Sequence, residues 1–403
     1  MDRRSAPDPL GGTASSLPPP VSRRAFLAGA VACATIAPTS LRATFCSRAE
    51  QAVLHLATRS SQSGHVHTFA LTSTGCELLG STAIDSFAAF APHPVLPVLY
   101  VARDCSQWED LPRGVIETYA VECGSHSLRL LAQTPMALSA TGPRALAVAS
   151  GGRHLLASAS TGGAWNALTL NGDGMPTSVA IARKETGAVL DSHTVSLPVP
   201  HGLVFSPRGL FAVGTDPGSG HMTLLQPSSE AIAALARWEM PHGLTPSSPA
   251  WTIDSKYIIA ATARGMSLAI CEMGAGSEVQ SNSSVHLLGT TSTHTPVTAL
   301  LAHPREPAVF SSRPQGNGSR LELWKVDGSH LRLANDTWVS GHVVGLAHRN
   351  GGLWIASQDR LTRIPIDDLR SPCPFHAPLP MHGAHAIVTQ DISDQLANAW
   401  SEL

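Results

Sequence analysis

The sequence contains little charge and few aromatic residues, and both shortages narrow the range of functions. Only 14% of the 403 residues are Asp, Glu, Lys or Arg, and the formal net charge at pH 7 is -2. This balance excludes the strongly basic surface that attracts nucleic acids or anionic membranes. Aromatic residues make up 5% of the chain, whereas 34 Gly and 30 Pro supply turns. Such a mixture is typical of many short strands rather than of long helices.

Several motifs of metal sites and enzymes are also missing. The seven cysteines include no C-x-x-C pair, which argues against a structural zinc site. No G-x-S-x-G nucleophile motif and no glycine-rich nucleotide-binding motif occurs. The pairs His65/His67 and His382/His385 each lack a third ligand at metal-binding spacing. We therefore expect neither a metal nor an organic cofactor.

The N-terminal region resembles a twin-arginine export signal. Residues 1–21 are rich in Pro and Ser and are predicted to be disordered. The motif S-R-R-A-F-L at residues 22–27 then precedes a mildly apolar stretch, which is shorter than the about 20 residues that span a membrane. Residues 22–43 are thus predicted to be the signal. This predicts contact with the twin-arginine export machinery, no stable membrane span, and a periplasmic or secreted mature chain.

Export leaves two further points open. Within this region, cleavage is expected after Ala34 or after Ala37, and Cys33 is an alternative site of lipid attachment. An oxidising compartment also permits disulfides. Cys105 and Cys123 flank neighbouring predicted strands and are the candidate pair.

A repeat carries the strongest fold signal. Seven short apolar runs end in small or polar residues and recur at intervals of about 44 to 56 residues, close to the length of a propeller blade. Each is followed by a second strand-like run, and several of these alternate apolar with polar residues, as strands with one buried face do. The seven first runs lie at residues 53–59, 98–104, 154–160, 210–216, 257–263, 308–314 and 352–358.

A third apolar run precedes the first run in most units, for example at residues 202–205 and 343–347. The first unit lacks it, and residues 384–388 at the far end of the chain are predicted to supply it and so close the ring. The sequence therefore predicts an all-β, seven-bladed β-propeller at residues 50–392, closed by pairing of its N- and C-terminal strands, with a C-terminal tail at 393–403. Residues 174–188 are predicted to form a surface loop.

Two other architectures fit less well. A doubly wound α/β fold needs helical spacing between its strands, and almost none is found. A WD40 propeller carries Trp-Asp dipeptides at its blade ends, and this sequence has none.

Two blades carry a recognisable pattern. Residues 143–163 follow P-x-H-L-x-V-x-P-D-G-R-x-L-L-V-A-N-Y-G-G-G, and residues 200–218 follow P-H-x-H-x-x-x-x-P-D-G-R-F-L-x-V-x-D-L-G. The chain thus resembles the seven-bladed β-propeller lactonases, which include propeller-type 6-phosphogluconolactonases and carboxymuconate-lactonizing enzymes. It departs from them where Ala159-Ser160 replaces Asn-Tyr, Leu203 replaces the second His, and Arg103-Asp104 replaces Asn-Glu. The Arg-Gln that precedes P-H-x-H in the family is also missing.

Propeller geometry predicts which polar residues share one face. In a four-stranded blade, the loop that enters the innermost strand and the loop that leaves the second strand lie on the same side of the ring. The entering loops carry Arg144, His201, His342 and His382. The leaving loops carry Arg59, Asp104, Asp216, Arg313 and Gln358. A concave mouth with a few convergent polar groups is where we expect a small ligand to bind.

The resemblance implies a hydrolase that opens a small anionic sugar or organic-acid lactone. We expect the protein to be a monomer. His201 or Asp104 is the candidate base that activates water. Arg313, together with Arg144, is the candidate for holding the oxyanion or an acidic group. Asp216 is expected to cap a turn instead. The alternative is an exported, non-catalytic propeller that binds a ligand or a partner and has lost the catalytic set. The candidate substrate-binding residues are Arg144, Arg59, Gln358, His342 and His382.

Overall fold

The structure of the protein is a computed structural model. It describes residues 51–59, 64–72, 75–122, 127–183, 199–228, 231–241, 244–262, 266–274, 285–370, 375–378 and 384–392. The predicted disordered region, export signal and C-terminal tail lie outside these residues, as do Cys33, Cys123 and His382.

The described residues form seven four-stranded antiparallel sheets and contain no helix. The first sheet joins both ends of the chain: β1 (Gln51–Arg59), β2 (Gly64–Leu71) and β3 (Cys76–Ala83) come from its beginning, and β28 (Ala384–Ile392) comes from its end. Blades 2 to 4 are each built from four consecutive strands. Blade 2 contains β4 (Phe87–Pro92), β5 (Val98–Arg103), β6 (Val115–Val121) and β7 (Leu128–Pro135). Blade 3 contains β8 (Thr141–Val148), β9 (His154–Thr161), β10 (Ala164–Leu170) and β11 (Pro176–Arg183). Blade 4 contains β12 (Leu203–Phe205), β13 (Ala212–Asp216), β14 (His221–Pro227) and β15 (Ile232–Glu239).

Blades 5 to 7 repeat this plan. Blade 5 contains β16 (Pro246–Trp251), β17 (Tyr257–Thr262), β18 (Ser267–Met273) and β19 (Val285–Ser292). Blade 6 contains β20 (Ala299–Ala302), β21 (Ala308–Gln315), β22 (Gly318–Asp327) and β23 (His330–Ser340). Blade 7 contains β24 (Val343–Arg349), β25 (Gly352–Ser357), β26 (Arg360–Pro365) and β27 (Phe375–Pro378). The predicted all-β, seven-bladed propeller is confirmed.

The core lies between neighbouring blades. Leu54 and Phe69 of blade 1 pack with Trp354 and Leu361 of blade 7, and comparable clusters fill the other interfaces. The second and third strands supply these side chains because both of their faces are covered by adjacent blades. Burial of one such side chain contributes about 1.5–3 kcal/mol relative to its exposure. The apolar runs of the repeat are therefore the strands with two covered faces.

Pairing of β1 with β28 closes the ring, as predicted. It runs from Gln51 opposite Ile392 to Thr58 opposite Ala384. Buried His55 on β1 places Nε2 3.1 Å from Gln390 Oε1. The Gln390 amide nitrogen donates to the carbonyls of His93, Leu96 and Val98 in blade 2, at 3.1, 2.6 and 3.1 Å. The closing strand is thus bound to blade 2 as well as to blade 1.

Two local predictions need revision. Residues 174–188 were predicted as a loop, but β11 occupies Pro176–Arg183 and pairs with β10. The turn before it is held by the Asn171 side chain, which accepts hydrogen bonds from the amides of Asp173 and Met175. Cys105 has a free thiol, and its predicted partner Cys123 lies outside the described residues.

Candidate functional site

We call one side of the ring the mouth. It carries the loops that lead into the innermost strand of each blade and the loops that follow the second strand. Arg59 ends β1 in blade 1, and Asp104 follows β5 in blade 2. Arg59 Nη2 lies 3.5 Å from Asp104 Oδ2, so the structure brings these two predicted site residues together. Their side chains are 45% and 39% exposed, and the pair is open to solvent.

His201 is held at the mouth by its backbone. Its amide donates to the Thr215 carbonyl at 2.8 Å, and its carbonyl accepts the Ser158 hydroxyl at 2.8 Å. Gly202 follows in a space that admits no larger residue, because a Cβ there would lie 2.2 Å from the Ser247 carbonyl oxygen. Blades 3, 4 and 5 therefore fix the position of His201 together.

The surroundings of the His201 ring favour its neutral form. His201 is an exposed residue, but partial burial of its ring lowers its pKa below the usual 6.5. A hydrogen bond with the Ser247 backbone opposes this shift, and the positive charge of Arg144 adds to it. A neutral imidazole beside a cation is able to accept a proton from water.

Arg144 lies on β8, and its exposed side chain is near His201. Its Nε donates to Ser160 Oγ at 3.3 Å, and that hydroxyl donates to the Gly142 carbonyl at 2.8 Å. Ser158 links the two candidates, because its hydroxyl accepts the Ala145 amide at 3.0 Å while donating to the His201 carbonyl. Arg144 and His201 are thus positioned by one set of hydrogen bonds at the boundary of blades 3 and 4.

Arg313 has a different arrangement. Its Nε donates to Glu322 Oε1 at 2.7 Å, and the Arg313 side chain is only 14% exposed. Glu322, on the third strand of blade 6, is 1% exposed and also accepts from Ser311 and Trp324, both at 3.3 Å. The Arg313 guanidinium therefore balances a buried carboxylate within its own blade.

The other predicted residues do not form one cluster. Asp216 is 6% exposed and accepts hydrogen bonds from Val199 N at 2.7 Å, Ser219 N at 3.1 Å and Ser219 Oγ at 2.6 Å, as expected for a turn cap. His342 and Gln358 are exposed. Within the described part of the chain, no three His, Cys, Asp or Glu side chains are grouped as a metal site requires.

A family model described as lactonase, seven-bladed β-propeller, matches residues 53–342. The chain belongs to this lactonase family. The resemblance inferred from the blade pattern is confirmed.

Solved structures share the fold at low identity. The periplasmic gluconolactonase PpgL of Pseudomonas aeruginosa is 16% identical, with a TM-score of 0.67 over 84% of this chain and 99% of that one. A Bacteroides fragilis protein provisionally described as a 6-phosphogluconolactonase is 12% identical, with a TM-score of 0.66 over 85% and 98%. AztD of Citrobacter koseri is 11% identical, with a TM-score of 0.53 over 85% and 99%. No curated protein matches the sequence.

The described residues of this lactonase-family propeller include no helix that is long and apolar enough to cross a membrane.

Sequence reasoning missed two buried carboxylates in this lactonase-family propeller. Glu117 in blade 2 and Glu322 in blade 6 occupy equivalent positions, opposite Val101 and Ser311 of the preceding strands. Glu117 is 3.4 Å from Arg103 and accepts the Tyr119 hydroxyl at 2.7 Å. The available signal was a glutamate that directly follows an apolar residue, Ile116 or Leu321, at the same place in the third strands of two blades.

Proposed function

We propose that this lactonase-family propeller hydrolyses the lactone of a small, anionic sugar acid or organic acid. The arrangement of Arg144 and His201 carries the proposal, because it combines a neutral proton acceptor with a cation in a rigid frame. Family membership supports the reaction type, and the two exposed arginines at the mouth, Arg59 and Arg144, support an acidic substrate. An Arg side chain binds a carboxylate or phosphate with two parallel hydrogen bonds.

In the proposed reaction, His201 accepts a proton from water as the water oxygen attacks the lactone carbonyl carbon. The carbonyl π electrons move to the oxygen, and Arg144 stabilises the oxyanion. When the carbonyl reforms, the bond to the ring oxygen breaks, and this oxygen takes the proton from His201. One water is consumed, and a hydroxy acid is released.

The remaining candidate residues are assigned supporting roles in the proposed reaction. Asp104 is the alternative base, and Arg59 orients it through their ion pair. His342 and Gln358, next to β24 and β25 of blade 7, are proposed to contact the substrate, and so is His382, which lies outside the described residues. Arg144 is assigned the oxyanion in place of Arg313, since the charge of Arg313 is already engaged by Glu322.

A lactone panel tests the proposal. The purified protein is assayed for acid release from sugar and organic-acid lactones, including 6-phosphogluconolactone, together with His201→Ala. Loss of the base should lower kcat by about 10²–10⁴-fold. His330→Ala is the matched control, because His330 is exposed on the hairpin between β22 and β23. If the unmodified protein releases no more acid than His201→Ala, the enzyme assignment fails and the non-catalytic binding propeller replaces it.

We also propose that the protein acts after export through the twin-arginine route. The S-R-R-A-F-L motif at residues 22–27 supports this location. A lactonase outside the cytoplasm would meet lactones formed or supplied there, not intermediates confined to the cytoplasm.

A further inference from the structure

Two exposed leucines stand at the mouth beside the charged groups. Leu111 lies in the loop from β5 to β6, and Leu138 lies in the connection from β7 to β8. They are 43% and 53% exposed. Both leucines lie at the mouth. The loop that carries Leu111 follows β5, the second strand of blade 2, and the connection that carries Leu138 leads into β8, the innermost strand of blade 3. We call these two leucines the apolar lip.

The lip is a fixed feature, since hydrogen bonds join its two loops. The Ser139 amide donates to the Pro112 carbonyl at 2.7 Å, and the Gly114 amide donates to the Ala140 carbonyl at 2.8 Å. The same loops hold Glu109 and Ser139 at φ values of 49° and 67°. Such backbone conformations are unfavourable for residues other than glycine and tend to occur at ligand sites.

The lip also adjoins the proposed catalytic pair. The Ser139 carbonyl oxygen packs on Gly162, where a Cβ would lie 1.9 Å from it. The turn at Gly162 directly follows β9, whose Ser160 holds Arg144. The loop that carries Leu111 begins at Asp104, which pairs with Arg59. The lip therefore lies between the Arg59–Asp104 pair and Arg144.

We propose that the apolar lip binds an alkyl or aryl substituent of the substrate, so that the preferred lactones carry an apolar group. This inference rests on the proposed function. Two leucines are far too small a patch for a protein partner, since a stable interface covers about 800 Å² on each side. A short hydrocarbon chain matches their size, and each buried methylene strengthens binding about fourfold.

A homologous series of lactones tests the lip. The ratio kcat/KM is measured for γ-lactones with unbranched alkyl groups from methyl to hexyl, alongside gluconolactone. It should rise by up to about fourfold per methylene until the chain passes the lip. The double variant Leu111→Asn/Leu138→Asn should flatten the series and leave the methyl lactone within about twofold. Leu210→Asn is the control, because Leu210 is 59% exposed in the turn from β12 to β13, on the opposite side of the ring.

The outcomes separate the two proposals. Hydrolysis without any dependence on chain length, or with the same dependence in the double variant, overturns the lip and leaves the lactonase assignment standing. If a lactone of the earlier panel is hydrolysed and no alkyl lactone is, the lip is overturned. If no lactone of the series or of the earlier panel is hydrolysed, the proposed function fails, and the lip is tested by calorimetric titration with octanoate and acetate. Binding of octanoate that the double variant loses supports the lip. Equal binding by both proteins overturns it.

Discussion

Replacement of Gln390 by Met should reveal how strongly the ends of the chain hold the ring closed. Gln390 is 3% exposed, and Met has a similar length without the amide. The Leu96 and Val98 carbonyls keep other partners, the amides of Val98 and His93, at 2.7 and 2.8 Å. The His93 carbonyl and His55 Nε2 lose the bonds that Gln390 provides. Two buried polar groups at about 1–3 kcal/mol each predict a loss of about 2–6 kcal/mol.

Urea unfolding followed by tryptophan fluorescence measures this loss. Thr389→Val is the control on the same strand, because the Thr389 hydroxyl makes one hydrogen bond, to the His348 carbonyl at 3.1 Å. Loss of that bond should cost about 1 kcal/mol. If Gln390→Met is no less stable than Thr389→Val, the Gln390 network does not hold the closing strand in place, and the reasoning is refuted.

Two further predictions concern pH and location. Burial lowers the pKa of His55 from 6.5 to about 4. Between these values the unfolded chain binds more protons than the folded protein, so the free energy of unfolding should fall by about 2 kcal/mol from pH 7 to pH 5. Urea midpoints at both pH values check this, and an equal fall in stability in His55→Gln would contradict it. Replacement of Arg23 and Arg24 by Lys should leave the protein in the cytoplasm, and undiminished recovery from the periplasm in a cell-fractionation experiment would disprove export by this route.

The repeat predicted the ring because two strands of each blade are covered on both faces. The run at residues 98–104 gave β5, and residues 384–388 gave the closing strand β28. The fourth strands were harder to recognise. In β7, buried and half-buried residues alternate irregularly with exposed ones, and a bulge at Thr118–Tyr119 shifts its pairing. Such edge strands lack a periodic apolar signal, which explains why residues 176–183 were predicted as loop.

The site was less predictable than the fold because loop position does not determine side-chain direction. Topology placed Arg144, His201 and Arg313 at strand ends on one side of the ring. It gave no information about Glu322, a buried partner in the next strand that engages Arg313. It also gave no sign that Ser158 joins Arg144 and His201, since this depends on a serine hydroxyl that bridges two blades.

The departures from the family pattern have partners of their own. Ser160, which stands in the family's Asn-Tyr position, accepts a hydrogen bond from Arg144. Arg103, in the Asn-Glu position, contacts buried Glu117, and the adjacent Asp104 pairs with Arg59. A mouth that had only lost its polar groups would leave such positions filled by residues without specific contacts. Here the replacements at two of these positions make specific contacts: Ser160 binds Arg144, and Arg103 and Asp104 pair with Glu117 and Arg59. This favours a mouth rebuilt for a different lactone over a mouth that has lost its chemistry.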